Sequence, residues 1–254
     1  MGGIMYSVVI PVYNGAETVT ALAEGISDLF DRIDSSFEVI FVDDHSEDNS
    51  WDIIRGLAAA DSRIAAIKLA ANYGQHNATI CGLYYVVGDF IITMDDDLQH
   101  SPEDIPKLIR EMDESGADVV IARLVNKKHD WRRRKASDLM RQLNELFAKK
   151  PKGLHLSSFR LMKKEIAEKM LRTGMSYIFI PALIFGVTQN VVNTEVEHRK
   201  RQYGNSGYSF GKMVGLAARL FINANPVLRR LLVNKRLSYV VEAQAGSLER
   251  RKSD

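Results

Sequence analysis

The 254-residue sequence predicts an α/β protein: a mostly parallel sheet with helices on both faces, followed by a C-terminal amphipathic helix. Three observations predict it. First, β-branched runs and helical apolar stripes alternate four times with short connections, the pattern of βαβ units. Second, the apolar runs stop on polar or turn residues, so five strand ends bring chemistry to one rim. Open parallel sheets bind their ligands at that rim. Third, residues 210–232 carry an apolar stripe (Phe210, Met213, Val214, Ala217, Leu220, Phe221) with Lys212, Arg219, Arg229 and Arg230 on or beside the other face.

Taken in order, Tyr6–Val12 is a β-branched strand that ends at Pro11-Val12, and Tyr13-Asn14-Gly15-Ala16 is a turn. Residues 17–33 place Val19, Leu22, Ile26, Leu29, Phe30 and Ile33 at helical spacing. Phe37–Val42 is a second strand, ending on Asp43-Asp44. His45–Ser50 is a loop rich in N-cap residues, leading into a helix over 51–60. Ile64–Leu69 is a third strand, Asn72-Tyr73-Gly74 a turn, and 76–87 a helix. Ser101 caps a helix over 102–115 with Pro102 at its first position, and Ala117–Ala122 is a further strand.

The fourth strand carries the densest chemistry. Ile91-Ile92-Thr93-Met94 runs directly into Asp95, Asp96 and Asp97. Adjacent carboxylates repel unless their pKa values rise or a cation lies between them. Asp95 and Asp97, two apart at a strand end, can turn toward one ion, and Gln99 adds a neutral oxygen. Hard oxygen donors of this kind suit Mg²⁺ or Mn²⁺ and leave positions for phosphate oxygens. A D-x-D by itself is equally a solvated acidic loop, and the residues around it decide.

Beyond Arg123 the character changes. Residues 123–135 hold seven Lys or Arg against one Asp. Such a run is either a solvated face or an anion clamp, since arginine forks match phosphate oxygens. Residues 137–147 read as an amphipathic helix, 153–160 as a loop or short strand, and 161–172 as a helix. Residues 177–185 form an apolar core segment, 190–196 a strand, and 198–209 a basic, glycine-containing loop. The tail from Glu242 onward reads as polar and frayed.

Net charge is +2, which gives the whole molecule no preference for nucleic acid. The single cysteine, Cys81, excludes an intramolecular disulfide and a Cys-rich zinc site and fits a reducing compartment. No signal peptide is visible, and no apolar run reaches the roughly 18 residues of a spanning helix. The expected location is therefore cytoplasmic, with peripheral contact at the cytoplasmic membrane face if the 210–232 stripe lies in the interface. The same stripe also suits packing on the domain or a contact between copies in a homo-oligomer. No G-x-G-x-x-G follows the first strand and no G-x-x-x-x-G-K-[ST] is present, which argues against a dinucleotide dehydrogenase and a P-loop NTPase.

IPVYN at 10–14, VDDHSEDNS at 42–50, NYGQHNA at 72–78, DDDLQHSPED at 95–104 and RKRQYGNSGYS at 199–209 together resemble a family 2 glycosyltransferase of GT-A fold. The resemblance runs from about residue 5 to residue 210. It is strongest to the branch holding dolichyl-phosphate mannose synthase and the bacterial polyprenyl-phosphate glycosyltransferases. It implies a catalytic domain over 1–209, with the helix and polar tail in 210–254. It also implies a metal-dependent, inverting hexosyl transfer from a UDP- or GDP-linked sugar to a polyprenyl phosphate or glycan acceptor. By that resemblance Pro11, Val12, Tyr13, Val42 and Asp44 hold base and ribose, and Asp95, Asp97 and Gln99 hold Mg²⁺ or Mn²⁺ and the diphosphate. Glu17, Asn72, Gly74, Asp96, Arg133 and Ser206 complete the nucleotide-sugar set. Asp97, Arg123, Arg134 and Arg201 form the catalytic set. Arg133-Arg134 matches an Arg-Arg before a serine, here Ser137, and Arg201, Gly204 and Ser206 match an R-x-x-G-x-S loop.

Three departures bear on the acceptor. Gly15 stands where the branch has Glu directly after Tyr-Asn, with Glu17 the nearest acid. Leu154-His155-Leu156 precedes Ser157-Ser158-Phe159-Arg160 without the usual Asp. The two transmembrane helices expected after the last basic loop are not present. An ionised phosphate acceptor needs no general base, whereas a sugar hydroxyl does. A soluble transferase acting on a saccharide is thus the nearest rival, with His155 as a candidate base. A haloacid-dehalogenase-type phosphatase is more remote, because Gln99 occupies the place where its D-x-D motif wants Thr or Val. A receiver-like module is excluded by chain length and by the position of Asp43-Asp44.

Overall fold

The computed structural model describes residues 3–125, 151, 153–173, 178–197, 239–246 and 248. The chain opens with β1 (Met5–Val12), α1 (Val19–Arg32), β2 (Ser36–Asp43), α2 (Ser50–Ala60), β3 (Ile64–Leu69) and α3 (Gln75–Leu83). It continues with β4 (Phe90–Thr93), a 3₁₀ turn at Pro102–Asp104, α4 (Ile105–Ser115) and β5 (Val119–Val125). The second half holds β6 (Arg160–Lys163), α5 (Lys164–Arg172), α6 (Ile180–Val187), β7 (Val191–Glu197) and β8 (Val241–Ala245). The strands form one sheet in the order β7-β5-β6-β4-β1-β2-β3-β8. Strands β3, β2, β1 and β4 are parallel neighbours, β5 and β7 are parallel to each other, and β6 and β8 run against their neighbours.

The sheet is apolar on both faces because each strand alternates its side chains across it. Val8, Ile10 and Val12 of β1 pack with Leu22, Ile26 and Phe30 of α1, Ile54 of α2 and Leu108 of α4. Val9 points the other way, into a second core with Cys81 and Leu83 of α3, Met170 of α5 and Leu183 of α6. Each such fully buried side chain contributes about 1.5–3 kcal/mol, whereas an exposed, solvent-screened ion pair such as Arg32–Glu103 contributes little. The two cores therefore hold the rim in place. No helix among the described residues is long and apolar enough to cross a membrane.

The predicted fold class is thus present, with helices on both faces. Several local expectations change. Leu161-Met162-Lys163, expected to open a helix, instead continue β6, paired antiparallel with Ile92, Ile91 and Phe90 of β4 respectively. The helix begins only at Lys164, whose backbone N–H donates to the Asp89 carbonyl at 2.9 Å. The polar tail is not frayed at its start. Val241–Ala245 close the far edge of the sheet against β3, and Gln244 donates to the Tyr85 hydroxyl at 2.7 Å. The α3 helix ends at Leu83, four residues short of the expected boundary. The C-terminal helix expected over 210–232 lies outside the described residues.

The β8 edge makes a specific demand on Gly246. Its φ is +82°, and a Cβ there sits 2.5 Å from the Ile64 carbonyl oxygen and 3.0 Å from Ala65 Cα. Gly246→Ala is therefore expected to lower unfolding free energy by about 1–3 kcal/mol. Urea denaturation checks this, and an unchanged midpoint contradicts the docking of β8 on β3.

Candidate active site

The rim is built by the turns after β1, β2, β3 and β4. The first two are laced together by polar side chains. The Asn14 N–H donates to Ser46 Oγ at 3.0 Å, and Asn14 Oδ1 accepts from the Glu47 N–H at 2.8 Å. The Gly15 N–H donates to Ser50 Oγ at 2.9 Å, and the Ala16 N–H to Asp48 at 3.1 Å. Asn14 and His45 sit at φ +54° and +62°, a region that asparagine and histidine enter more readily than most residues. The β1 and β2 strand ends are thus fixed relative to each other before any ligand arrives.

The base and ribose candidates divide into buried and exposed groups. Val12 and Val42 are fully buried, so only their backbone faces the rim. The Val12 carbonyl already accepts from the Asp44 N–H at 2.8 Å. Pro11 is buried beneath the rim, Tyr13 is exposed on it, and Asn72 is exposed on the turn after β3. Glu17 is exposed on the turn preceding α1. Asp44 is buried and its carboxylate accepts from the Tyr73 N–H at 2.8 Å and the Gly74 N–H at 2.7 Å. Its first task is therefore to shape the 72–74 turn.

The three aspartates after β4 turn to different partners. Asp95 accepts from the Gln75 amide on one oxygen and from Ser158 Oγ at 2.6 Å on the other. Asp97 Oδ1 accepts from the Gln99 N–H at 3.1 Å, closing a turn in which Leu98 adopts φ +59°. Asp96 turns toward β1, where its Oδ2 accepts from the Tyr13 N–H at 3.3 Å. Burial, followed by the charge of Asp95, pushes the Asp96 carboxyl up to about 7. The same oxygen occupies the space that a Cβ on Gly15 needs. The glycine that departs from the branch pattern is thus coupled to the position of Asp96.

The residues fit a divalent cation by their chemistry. Asp95, Asp97 and the Gln99 amide offer hard oxygens only. Among the described residues no three His, Cys, Asp or Glu side chains form a complete cage. An ion of the Mg²⁺ type is commonly held by one or two carboxylates and completes its shell with phosphate and water.

Sequence reasoning passed over the floor of this site. Arg160, the first residue of β6, is buried, and it lies opposite Thr93 of β4 in the register. It lines a small cavity with Pro11, Gln75, His76, Thr93 and Asp95. Burial pulls the guanidinium down to about 10, partly offset by attraction to Asp95. Burial and the same arginine pull the His76 imidazole down to about 4. The signal was in the sequence: Gln75 and His76 belong to NYGQHNA, and Ser158 and Arg160 to SSFR. Arg123, expected at the end of its strand, lies two residues inside β5, exposed, with Nη1 3.6 Å from Glu195 Oε1 of β7. Arg133, Arg134, Arg201, Gly204 and Ser206 lie outside the described residues.

Asp44 generates a pH dependence. Burial raises its carboxyl from an ordinary 3.8 to about 6, despite the two backbone N–H donors. Between those values the folded state holds a proton that the unfolded chain releases, so the contribution to stability falls as pH rises through that window. The change is worth roughly 3 kcal/mol. Chemical denaturation at pH 4 and pH 7 is expected to move the stability difference between Asp44→Asn and wild type by roughly 2 kcal/mol, in favour of the variant at pH 7. A difference independent of pH contradicts it.

Comparison with known proteins agrees with this geometry. The family model described as glycosyl transferase family 2 matches residues 7–171. The undecaprenyl-phosphate 4-deoxy-4-formamido-L-arabinose transferase of Serratia proteamaculans is 37% identical over 211 residues, covering 83% of this chain. The chain spans 64% of that relative's length. Mannosyl-3-phosphoglycerate synthase from Rubrobacter xylanophilus has a similar fold, with TM-score 0.63 and 16% identity over 97% of this chain and 88% of its own. Glucosyl-3-phosphoglycerate synthase from Mycobacterium tuberculosis, solved with Mn²⁺, UDP-glucose and phosphoglyceric acid, gives TM-score 0.58 and 17% identity over 92% and 81%. S. aureus TarS with UDP-GlcNAc gives 0.56 and 17% over 87% and 68%. The strand order, the rim of carboxylates and the sequence match agree: the chain belongs to glycosyl transferase family 2, on a GT-A fold.

Proposed function

We propose that this protein is a metal-dependent, inverting glycosyltransferase that moves a sugar from a nucleotide-sugar to a polyprenyl phosphate. The observation that carries the reading is the pair Asp95 and Asp97 at the end of β4, with Asp95 held on both oxygens by Gln75 and Ser158. Mn²⁺ in the complex of a structural neighbour supports a divalent cation here. The undecaprenyl-phosphate relative supports a lipid-phosphate acceptor.

Asp95, Asp97 and Gln99 would hold the cation, which when bound supplies Lewis-acid stabilisation to the departing diphosphate. Pro11, Tyr13, Asn72 and Gly74, with the backbone of Val12 and Val42, wall the nucleotide, and Asp44 fixes that wall by holding Tyr73 and Gly74. Arg123, Arg133, Arg134, Arg201 and Ser206 complete the anion site by resemblance to the family. The acceptor phosphate attacks the anomeric carbon from the side opposite the diphosphate. Being ionised, it needs no base, which agrees with the lack of a carboxylate before Ser157. A peripheral membrane contact through residues 210–232 would bring the rim to the lipid head, with each basic residue near an anionic surface contributing about 1 kcal/mol.

One observation favours a second reading, transfer to a saccharide hydroxyl. The His155 N–H donates to Asn193 Oδ1 at 2.7 Å, and its carbonyl accepts from Asn193 Nδ2 at 3.0 Å. Those two bonds anchor the backbone of His155 to β7, and its side chain is exposed in the loop that leads into β6, where it is the candidate base for a hydroxyl acceptor.

Two measurements test the proposal. Asp97→Ala is expected to abolish transfer and metal-dependent nucleotide binding with little loss of stability, since it removes one of several repelling carboxylates. Retained activity, or activity indifferent to EDTA, overturns it. Arg134→Ala and Arg201→Ala are each expected to slow turnover by on the order of ten- to a thousandfold. The acceptor is decided in detergent: transfer to polyprenyl phosphate supports the proposal, while transfer only to a soluble saccharide, lost in His155→Ala, supports the second reading.

A further inference from the structure

We infer that Arg160 is a positioning residue for the metal-binding carboxylate Asp95, acting through Ser158. The inference rests on the reading of Asp95 as a metal ligand. Ser158 is gripped on its backbone and grips Asp95 with its side chain. Its carbonyl oxygen accepts from Thr93 Oγ1 at 2.6 Å and from Arg160 Nε at 3.3 Å. Its hydroxyl donates to Asp95 Oδ2 at 2.6 Å. Gln75, at the start of α3, takes the other oxygen of Asp95. Among the described residues one donor meets each oxygen, and a carboxylate oxygen has more than one lone-pair site. The partners standing behind a metal ligand fix its orientation and commonly change metal affinity by ten- to a hundredfold.

The burial of Arg160 argues that stability alone does not account for it. The residue is 5% exposed, at the junction of β6 with β4. Its neighbours in charge are Asp95, which attracts it, and His76, whose protonated form it opposes. Taking a guanidinium out of water is costly, and replacing buried ionic groups by apolar side chains of similar volume is often neutral or stabilising. A methionine would fill the same space between the sheet and α6. What it lacks is the donor to Ser158 and the positive charge beneath Asp95. That charge attracts the carboxylate and would lie on the side where a departing diphosphate accumulates negative charge.

The test is UDP binding titrated with Mn²⁺, read alongside thermal unfolding, in wild type, Arg160→Met, Arg160→Lys and Ser158→Ala. In Arg160→Met the Mn²⁺ concentration for half-maximal UDP binding is expected to rise about ten- to a hundredfold, with the unfolding temperature unchanged or higher. Arg160→Lys recovers part of the loss by restoring charge. Ser158→Ala, which leaves the buried guanidinium in place, moves in the same direction as Arg160→Met. Unchanged Mn²⁺ dependence in Arg160→Met overturns the inference, and so does unchanged dependence in Ser158→Ala should the methionine variant not fold. A wild-type protein that binds UDP equally with and without Mn²⁺ removes the metal reading itself, and this inference with it.

Discussion

Repulsion among five aspartates at one rim is the constraint that the rest of the structure must answer. Asp43 and Asp44 end β2, Asp95, Asp96 and Asp97 follow β4, and β1 alone separates the two strands. Two of them, Asp43 and Asp44, are buried. The fold answers with donors rather than with surface salt bridges. Asp43 takes the Ser46 N–H, Asp44 the Tyr73 and Gly74 N–H groups, Asp96 the Tyr13 N–H, and Asp95 a serine hydroxyl and an amide. All of these except the local Asp43–Ser46 bond also tie one part of the rim to another. The electrostatic cost of the cluster is thus converted into a rigid set of loops. Burial still leaves Asp44 and Asp96 with raised carboxyl pKa values, the kind of perturbation that clusters at functional sites.

Packing behind the rim makes that arrangement possible. The parallel block β3-β2-β1-β4 has helices on both faces, so its strand ends cannot slide without disturbing two cores. Reversed strands serve different ends. β6 runs back between β4 and β5 and thereby carries Arg160 and the preceding serine to the floor of the site. β8 seals the edge of β3 that would otherwise offer unpaired backbone groups.

Much of this was legible in the sequence, and the failures have physical causes. β1, β2 and β3 could be read because their β-branched runs are long and stop abruptly at polar residues. β6 could not, since it has four residues, begins and ends on a charge, and passes directly into α5. β8 alternates small apolar with polar residues, but its partner β3 lies far back in the chain. The aspartates after β4 announced themselves by adjacency. Gln75, Ser158 and Arg160 did not, because what unites them is spatial: they converge on Asp95 from the start of α3 and from the entry to β6. The role of Arg123 was carried by resemblance, and local geometry gives it Glu195 as a neighbour in the adjacent strand.

The central claim is that the carboxylates after β4 exist to hold a cation against a nucleoside diphosphate. Anomalous diffraction at the manganese edge, from crystals soaked with UDP and Mn²⁺, tests it most directly. The account predicts one strong peak about 2.0–2.2 Å from oxygens of Asp95 or Asp97, bridging to the diphosphate and absent when UDP is omitted or Asp97 is replaced by alanine. A peak elsewhere on the protein, or UDP seated at the rim with no manganese beside these aspartates, would contradict it.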